Sequence, residues 1–133
     1  ERRAKMETLR IYKMTEFLGL TPEQSEKFFP RLKQYEDNVR KMQHKQMELV
    51  REIDQITQNP DATVTEADVK KYLRAMAQIE KDIITEKEKF ISGLSSILTP
   101  DQQLKYMIFD NRFRRRLLKT INPSPNEMKN QQK

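Results

Sequence analysis

Apolar residues recur every three or four positions along most of the chain, a spacing that is typical of amphipathic helices. Four stretches carry the pattern, over residues 1–18, 22–58, 65–97 and 99–121. The second and third are joined by the short polar stretch 59–64, so they are expected to pair as an antiparallel hairpin. The sequence therefore predicts an all-α protein of four helices, built around one long helical hairpin.

The second stretch carries the longest apolar seam, with steps of four and three residues over about four heptads. Its members are Phe28, Leu32, Tyr35, Val39, Met42, Leu49, Ile53 and Ile56. Pro30 lies within this stretch and predicts a kink or a break, because proline lacks the N–H that a helix interior uses. Gly93 lies inside the third stretch, where it indicates either close packing or a weak point in the helix.

Two helix starts have nearly the same sequence, Leu20-Thr21-Pro22-Glu23-Gln24 and Leu98-Thr99-Pro100-Asp101-Gln102. In each, threonine supplies an N-cap oxygen, and proline occupies the first helical position, where no N–H is needed. Glutamine three residues after the threonine predicts a capping box, in which its side chain accepts from the threonine N–H. Gly19, just ahead of the first copy, is expected to end the first helix as a C′ residue.

The composition fits a helical chain with a modest core. Of the 133 residues, 35% are hydrophobic, 35% are charged and only 2 are glycine. These values favour helices with much exposed surface and argue against a sheet protein with many tight turns. We expect one domain over residues 1–121 and a disordered polar tail over residues 122–133.

The net charge of +6 favours acidic partners. Much of this charge lies in the fourth helix, in the cluster Arg112, Arg114, Arg115 and Arg116. We expect the four side chains to form one solvated polar face near the helix C-terminus, where cations are favourable. Nucleic acid is not the expected partner, because Phe113 is the only stacking aromatic within this cluster.

Candidate chemistry is sparse along the chain. The absence of cysteine excludes disulfides, thiolate catalysis and cysteine zinc sites. The single histidine, His44, is a weak metal candidate with Glu48 one turn away, and a solvated histidine is the simpler interpretation. Without a glycine-rich phosphate loop or a catalytic constellation, neither enzymatic activity nor a cofactor is expected. No run of about eighteen apolar residues predicts a membrane span, and a leader or anchor upstream of Glu1 is left open.

The paired motifs resemble those of the LTXXQ family of Spy- and CpxP-like periplasmic proteins. The resemblance covers roughly residues 6–119 and rests on the long hairpin and on the motif residues Leu20, Thr21, Gln24, Leu98, Thr99 and Gln102. The resemblance implies a mature periplasmic protein that forms an antiparallel homodimer in the shape of a thin cradle. It also implies that this cradle holds unfolded clients without ATP. The motif residues carry over as structural caps. Pro30 and the dense arginine cluster depart from the family pattern and leave the curvature and the client surface open.

The expected function is ATP-independent binding of unfolded or aggregation-prone, acidic proteins in the periplasm. Charge and helical spacing select as client-binding residues Arg31, Arg40, Lys41, Met47, Arg51, Arg112, Arg114, Arg115 and Arg116. A homodimer is expected because the side chains of Tyr35, Tyr72 and Phe109 need cover. The alternatives are a stress-signalling regulator that docks on a sensor kinase or an anti-sigma factor, and a metal-responsive sensor that uses His44.

Overall fold

A computed structural model describes the backbone of residues 1–121 and the side chains of residues 1–116. The helices are α1 (Arg2–Leu18), α2 (Pro22–Gln58), α3 (Glu66–Gly93) and α4 (Pro100–Ile121), and a 3₁₀ turn (Leu94–Ser96) follows α3. No strand occurs among residues 1–121, so the predicted all-α class with four helices is confirmed. The tail predicted to be disordered, residues 122–133, lies outside the described residues.

The chain forms two compact units, which are described separately. The first unit combines Glu1–Ser25 with the residues from Ser95 onward, and the second unit is Glu26–Leu94. The first unit therefore holds α1, both repeated motifs and α4, whereas the second holds the hairpin. The prediction of one domain over residues 1–121 stays a prediction.

In the first unit, α1 ends at the glycine that the sequence marks. Gly19 adopts a left-handed conformation with φ of 66°, and its N–H donates to the Glu16 carbonyl at 3.2 Å. Glycine takes this conformation without the Cβ clash that other residues suffer. Met14 and Leu18 on the last turns of α1 are buried. The predicted C′ glycine is confirmed.

Both repeated motifs form the predicted capping box. The Thr21 N–H donates to Gln24 Oε1 at 3.0 Å, and the Gln24 N–H donates to Thr21 Oγ1 at 3.1 Å. The same two bonds join Thr99 and Gln102, at 3.0 and 3.2 Å. Each box satisfies two backbone N–H groups, one in the first turn of the helix and one on the cap residue itself.

The two motif glutamines also bond to each other. Gln24 Nε2 donates to Gln102 Oε1 at 2.8 Å, and Gln102 Nε2 donates to Gln24 Oε1 at 3.1 Å. Gln24 Nε2 also donates to the Ile97 carbonyl at 3.1 Å, while Gln102 Nε2 reaches the Leu18 and Gly19 carbonyls, both at 3.3 Å. Gln102 is only 9% exposed and Gln24 is half-buried, so this reciprocal amide pair is a partly buried polar network in which both amides use their donors and acceptors.

The second unit is the predicted antiparallel hairpin of α2 and α3. Arg31 donates to the Gly93 carbonyl at 3.1 Å, and Asn38 donates to Glu86 Oε1 at 2.8 Å. Farther along, the Tyr72 side chain hydrogen-bonds Glu52, and burial, followed by the charge of this carboxylate, raises the pKa of Tyr72. Residue numbers in α3 fall as those in α2 rise, which is the register of an antiparallel pair.

The hairpin is well buried only where it is aromatic. Phe28, Leu32 and Tyr35 are buried on α2, and the Tyr35 ring stacks on Phe90 with 4.4 Å between centroids. The rest of the seam is half-buried, at Val39, Met42, Leu49, Ile53 and Ile56. Two helices alone cover one side of each other, so a full core cannot form along this seam.

Four expectations are corrected, wholly or in part. α2 runs through Pro30 without the break that proline could cause, and the alternative of a kink stays a prediction. α3 ends at Gly93 rather than near residue 97, since the chain tightens into a 3₁₀ turn before the second motif. Gly93 makes no close packing either, because a Cβ there would meet nothing within 4 Å. Finally, Tyr35 and Tyr72 are already buried within the chain, so they do not need the cover of a second copy.

The first prediction concerns the reciprocal amide pair. Thr21→Ala and Thr99→Ala should each lower the free energy of unfolding by about 1 kcal/mol, the usual value of an N-cap. Gln102→Ala should cost more, roughly 2–3 kcal/mol, because the half-buried Gln24 amide loses a partner and the Leu18 and Gly19 carbonyls lose their Gln102 donor. Urea denaturation measures these differences.

A double-mutant cycle isolates the contact between the two glutamines. The pair Gln24→Ala and Gln102→Ala should be non-additive by at least about 0.5 kcal/mol, since each change removes the other's partner. Gln55→Ala, on the exposed surface of α2, is the matched control and should be nearly neutral. Additive losses from the two motif glutamines would contradict the pairing.

The second prediction concerns the N-cap of α3. The Asp68 carboxylate accepts from the Thr65 N–H at 2.9 Å and from the Thr65 hydroxyl at 3.0 Å, and these bonds lower the pKa of Asp68. Folding thus favours the ionised form of Asp68. The stability that the Asp68 carboxylate adds to the fold is present above the ordinary pKa of 3.8 and is lost as the pH falls through the lower folded-state pKa. The stability difference between wild type and Asp68→Asn should shrink on acidification. Parallel stability curves from neutral to acidic pH would contradict this assignment.

Candidate binding surfaces

The arginines of α4 lie on two different sides of the helix. Gln102 and Tyr106 are buried, with Phe109 and Phe113 half-buried on the same side. Arg112 and Arg116 are one turn apart and border this inward side, whereas Arg114 and Arg115 point away from it. The Arg112 guanidinium carbon lies 5.6 Å from the centroid of the Phe17 ring on α1. The expectation of one solvated arginine face is therefore wrong.

An open groove of about 430 Å³ lies between α1 and α4. Its lining consists of Met6, Leu9, Arg10, Lys13 and Phe17 from α1 with Phe109, Arg112, Phe113 and Arg116 from α4. We call this set the α1–α4 groove. Each helix places an arginine over an aromatic ring of the other. Arg10 of α1 lies 4.9 Å from the centroid of the Phe113 ring on α4, and Arg112 of α4 lies over the Phe17 ring on α1. These crossed cation–π contacts stabilise the α1–α4 pair along the groove.

The α1–α4 groove is strongly positive. Four of its nine lining side chains are cationic and none is acidic. Glu7 offsets part of this charge through its 3.4 Å contact with Arg10, and Asp110 contacts Arg114, also at 3.4 Å. The remaining lining is apolar and includes three phenylalanines. The groove thus combines a positive rim with an aromatic floor.

A second mixed surface lies on the opposite side of α4. Leu104, Met107 and Ile108 are 61%, 44% and 43% exposed, and they share this side with Arg114 and Arg115. We call these five residues the outer face of α4.

Sequence reasoning also missed Tyr106, which is only 2% exposed. The signal was available, because Leu98, Gln102 and Tyr106 recur every four residues and all are buried. Counting only aliphatic residues and phenylalanine as core hides this stripe. A motif glutamine fixes the buried side of α4 in place of an apolar residue.

The client-binding residues expected on α2 do not form one surface. Arg40, Met47 and Arg51 lie on one exposed stripe, on the side away from the residues that contact α3. Arg40 is engaged by Asp37 at 3.1 Å. Lys41 is exposed on a neighbouring side, and Arg31 caps the end of α3 through the Gly93 carbonyl. The structure therefore divides the nine expected residues among separate places.

His44 lies on the exposed stripe of α2, and its Nε2 is 3.3 Å from Glu48 Oε1. Within the part of the chain that the structure describes, no three His, Cys, Asp or Glu side chains group in a way that could hold a metal ion. Among the same residues, no helix combines the length and the apolar character that crossing a membrane requires.

No protein-family model, curated protein or solved structure matches the chain. Membership of the LTXXQ family stays a prediction that rests on the two motifs and the helix layout between them. Within this chain, the structure assigns the motif threonines and glutamines to capping and to the reciprocal amide pair.

Proposed function

We propose that the protein binds unfolded or aggregation-prone proteins without ATP. The observation that carries the proposal is the outer face of α4, where Leu104, Met107 and Ile108 are exposed beside two arginines. Contiguous exposed apolar side chains of this kind are typical of sites that bind other polypeptides. The neighbouring cations would attract segments that carry acidic side chains.

Magnitudes support weak and reversible holding. Fully burying a large apolar side chain gains about 1.5–3 kcal/mol. The three apolar side chains of the outer face are already partly covered, so each would gain less than this on binding a client. Much of that gain is offset by the ordering of the client on binding. A surface of this strength can release a client as it folds, without an energy source.

The cellular setting of the proposal comes from the motif resemblance. The resemblance implies the periplasm, where ATP is not expected to drive client release. The regulator that docks on a sensor kinase or an anti-sigma factor and the metal sensor through His44 remain alternatives. No particular contact within residues 1–116 favours either of them over client binding.

We also propose that the protein is a homodimer. Val69, Leu73 and Ile84 lie on one side of α3 and are 52%, 66% and 56% exposed. This exposed face of α3 replaces the tyrosines as the reason for a partner, because a second copy would cover it. A two-fold axis would bring the same face of each copy together.

The third prediction tests client binding. The protein should slow the aggregation of unrelated denatured proteins at near-stoichiometric amounts without nucleotide, as measured by light scattering. Raising the salt should slow capture, because the Debye length falls to about 10 Å at 0.1 M, while apolar contacts persist. Arg114→Gln/Arg115→Gln should slow capture by a factor of roughly three to ten in stopped-flow measurements, because steering charges act on the association rate.

The matched control for client binding is Arg112→Gln/Arg116→Gln. It removes the same charge from the same helix but leaves the outer face of α4 intact. Its capture rate should stay close to that of wild type. If wild-type protein suppresses no aggregation across several clients, the chaperone proposal fails.

The fourth prediction tests the dimer. Sedimentation equilibrium at micromolar concentration should give twice the chain mass of 16.0 kDa. Leu73→Glu should yield monomers, because it places a carboxylate in the centre of the exposed face of α3. Met47→Glu, at a similarly exposed position on α2, should remain dimeric. A monomeric wild type would remove the dimer from the proposal.

A further inference from the structure

We propose that the α1–α4 groove binds a fatty acid, an amphiphile with one alkyl chain and an anionic headgroup. The proposal does not depend on client binding, because it uses the inward side of α4 rather than its outer face. It rests on the shape of the groove, its charge and the hydrogen-bonding character of its lining.

The size and the floor of the groove suit one alkyl chain. A volume of about 430 Å³ lies within the range of roughly 300–1,000 Å³ that small-molecule sites occupy. Phe17, Phe109 and Phe113 offer ring surfaces, and Met6 and Leu9 extend the apolar wall along α1. Met6 and Leu9 are 62% and 51% exposed, so a bound alkyl chain would remove apolar surface from water on both sides.

The charge of the groove suits one anion. Lys13, Arg112 and Arg116 are exposed cations of the lining, and the lining itself contains no carboxylate. A carboxylate can accept two parallel hydrogen bonds from one guanidinium, which is the strong form of this contact. Arg112 is exposed at the rim while its guanidinium covers the Phe17 ring, so it lies where a headgroup would meet the alkyl chain.

Hydrogen bonding separates a fatty acid from a peptide or a nucleotide. The lining side chains are of two kinds only, apolar groups and cations, and cations donate hydrogen bonds without accepting any. The backbone carbonyls of the helix interior are already used. A peptide brings an N–H donor at nearly every residue, and buried donors without acceptors are costly. A fatty acid brings acceptors at one end and no polar atoms elsewhere, which matches this lining.

The test is titration calorimetry of the full chain with dodecanoate below its micellar concentration. One dodecanoate should bind per chain, whereas dodecanol and dodecyltrimethylammonium should bind at least about tenfold more weakly, because they lack the anion. Arg112→Gln/Arg116→Gln should weaken dodecanoate binding at least about tenfold, and Arg114→Gln/Arg115→Gln should change it less than about twofold. Circular dichroism checks that each variant is folded.

A second pair of variants avoids the cation–π contacts. Met6→Glu adds a carboxylate at an exposed lining position and should abolish dodecanoate binding, while Leu104→Glu, equally exposed on the outer face of α4, should not. Equal affinity for dodecanol and dodecanoate, equal effects of the two arginine pairs, or tighter binding of an acidic apolar peptide would each overturn the assignment. If the wild-type protein binds dodecanoate as expected but binds no client, only the proposed function is overturned.

Discussion

The reciprocal hydrogen bonds between Gln24 and Gln102 are the constraint on which the first unit depends. Each amide oxygen accepts from the N–H of its own N-cap residue, and the two amides exchange hydrogen bonds. Each amide nitrogen also donates to a backbone carbonyl just ahead of the other helix, at Ile97 and at Leu18. A buried amide that loses a partner costs about 1–3 kcal/mol, so the network forms as a whole or leaves several groups unsatisfied. It ties the start of α2, the start of α4 and the end of α1 together.

Fixing the start of α4 also decides which of its sides faces α1. With Gln102 inward, residues at helical spacing from it follow, so Tyr106 is buried and Phe109 lies 6.2 Å from Phe17 between ring centroids. Arg112 then borders the α1–α4 groove, while Arg114 remains on the outer face of α4. Two mixed surfaces, the α1–α4 groove and the outer face of α4, thus follow from the orientation of one glutamine.

Local signals predicted most of the fold, because capping and helical spacing act over a few residues. The start of α2 at Pro22, the start of α3 at Glu66 and the C′ conformation of Gly19 agree with the sequence patterns. The surfaces were harder to predict, since a helix such as α4 has apolar residues on two sides and spacing alone does not choose between them. The pairing of Gln24 with Gln102 joins residues far apart in the chain, so no local pattern contains it.

The central claim is that the two motif glutamines form one reciprocal, partly buried amide pair in solution. Hydrogen exchange of the side-chain amides, followed by ¹⁵N-resolved NMR, tests it most directly, because hydrogen-bonded buried donors exchange only when the structure opens. The Gln24 and Gln102 side-chain N–H groups should exchange together and much more slowly than that of exposed Gln55. Exchange of either motif amide as fast as the Gln55 amide would contradict the account.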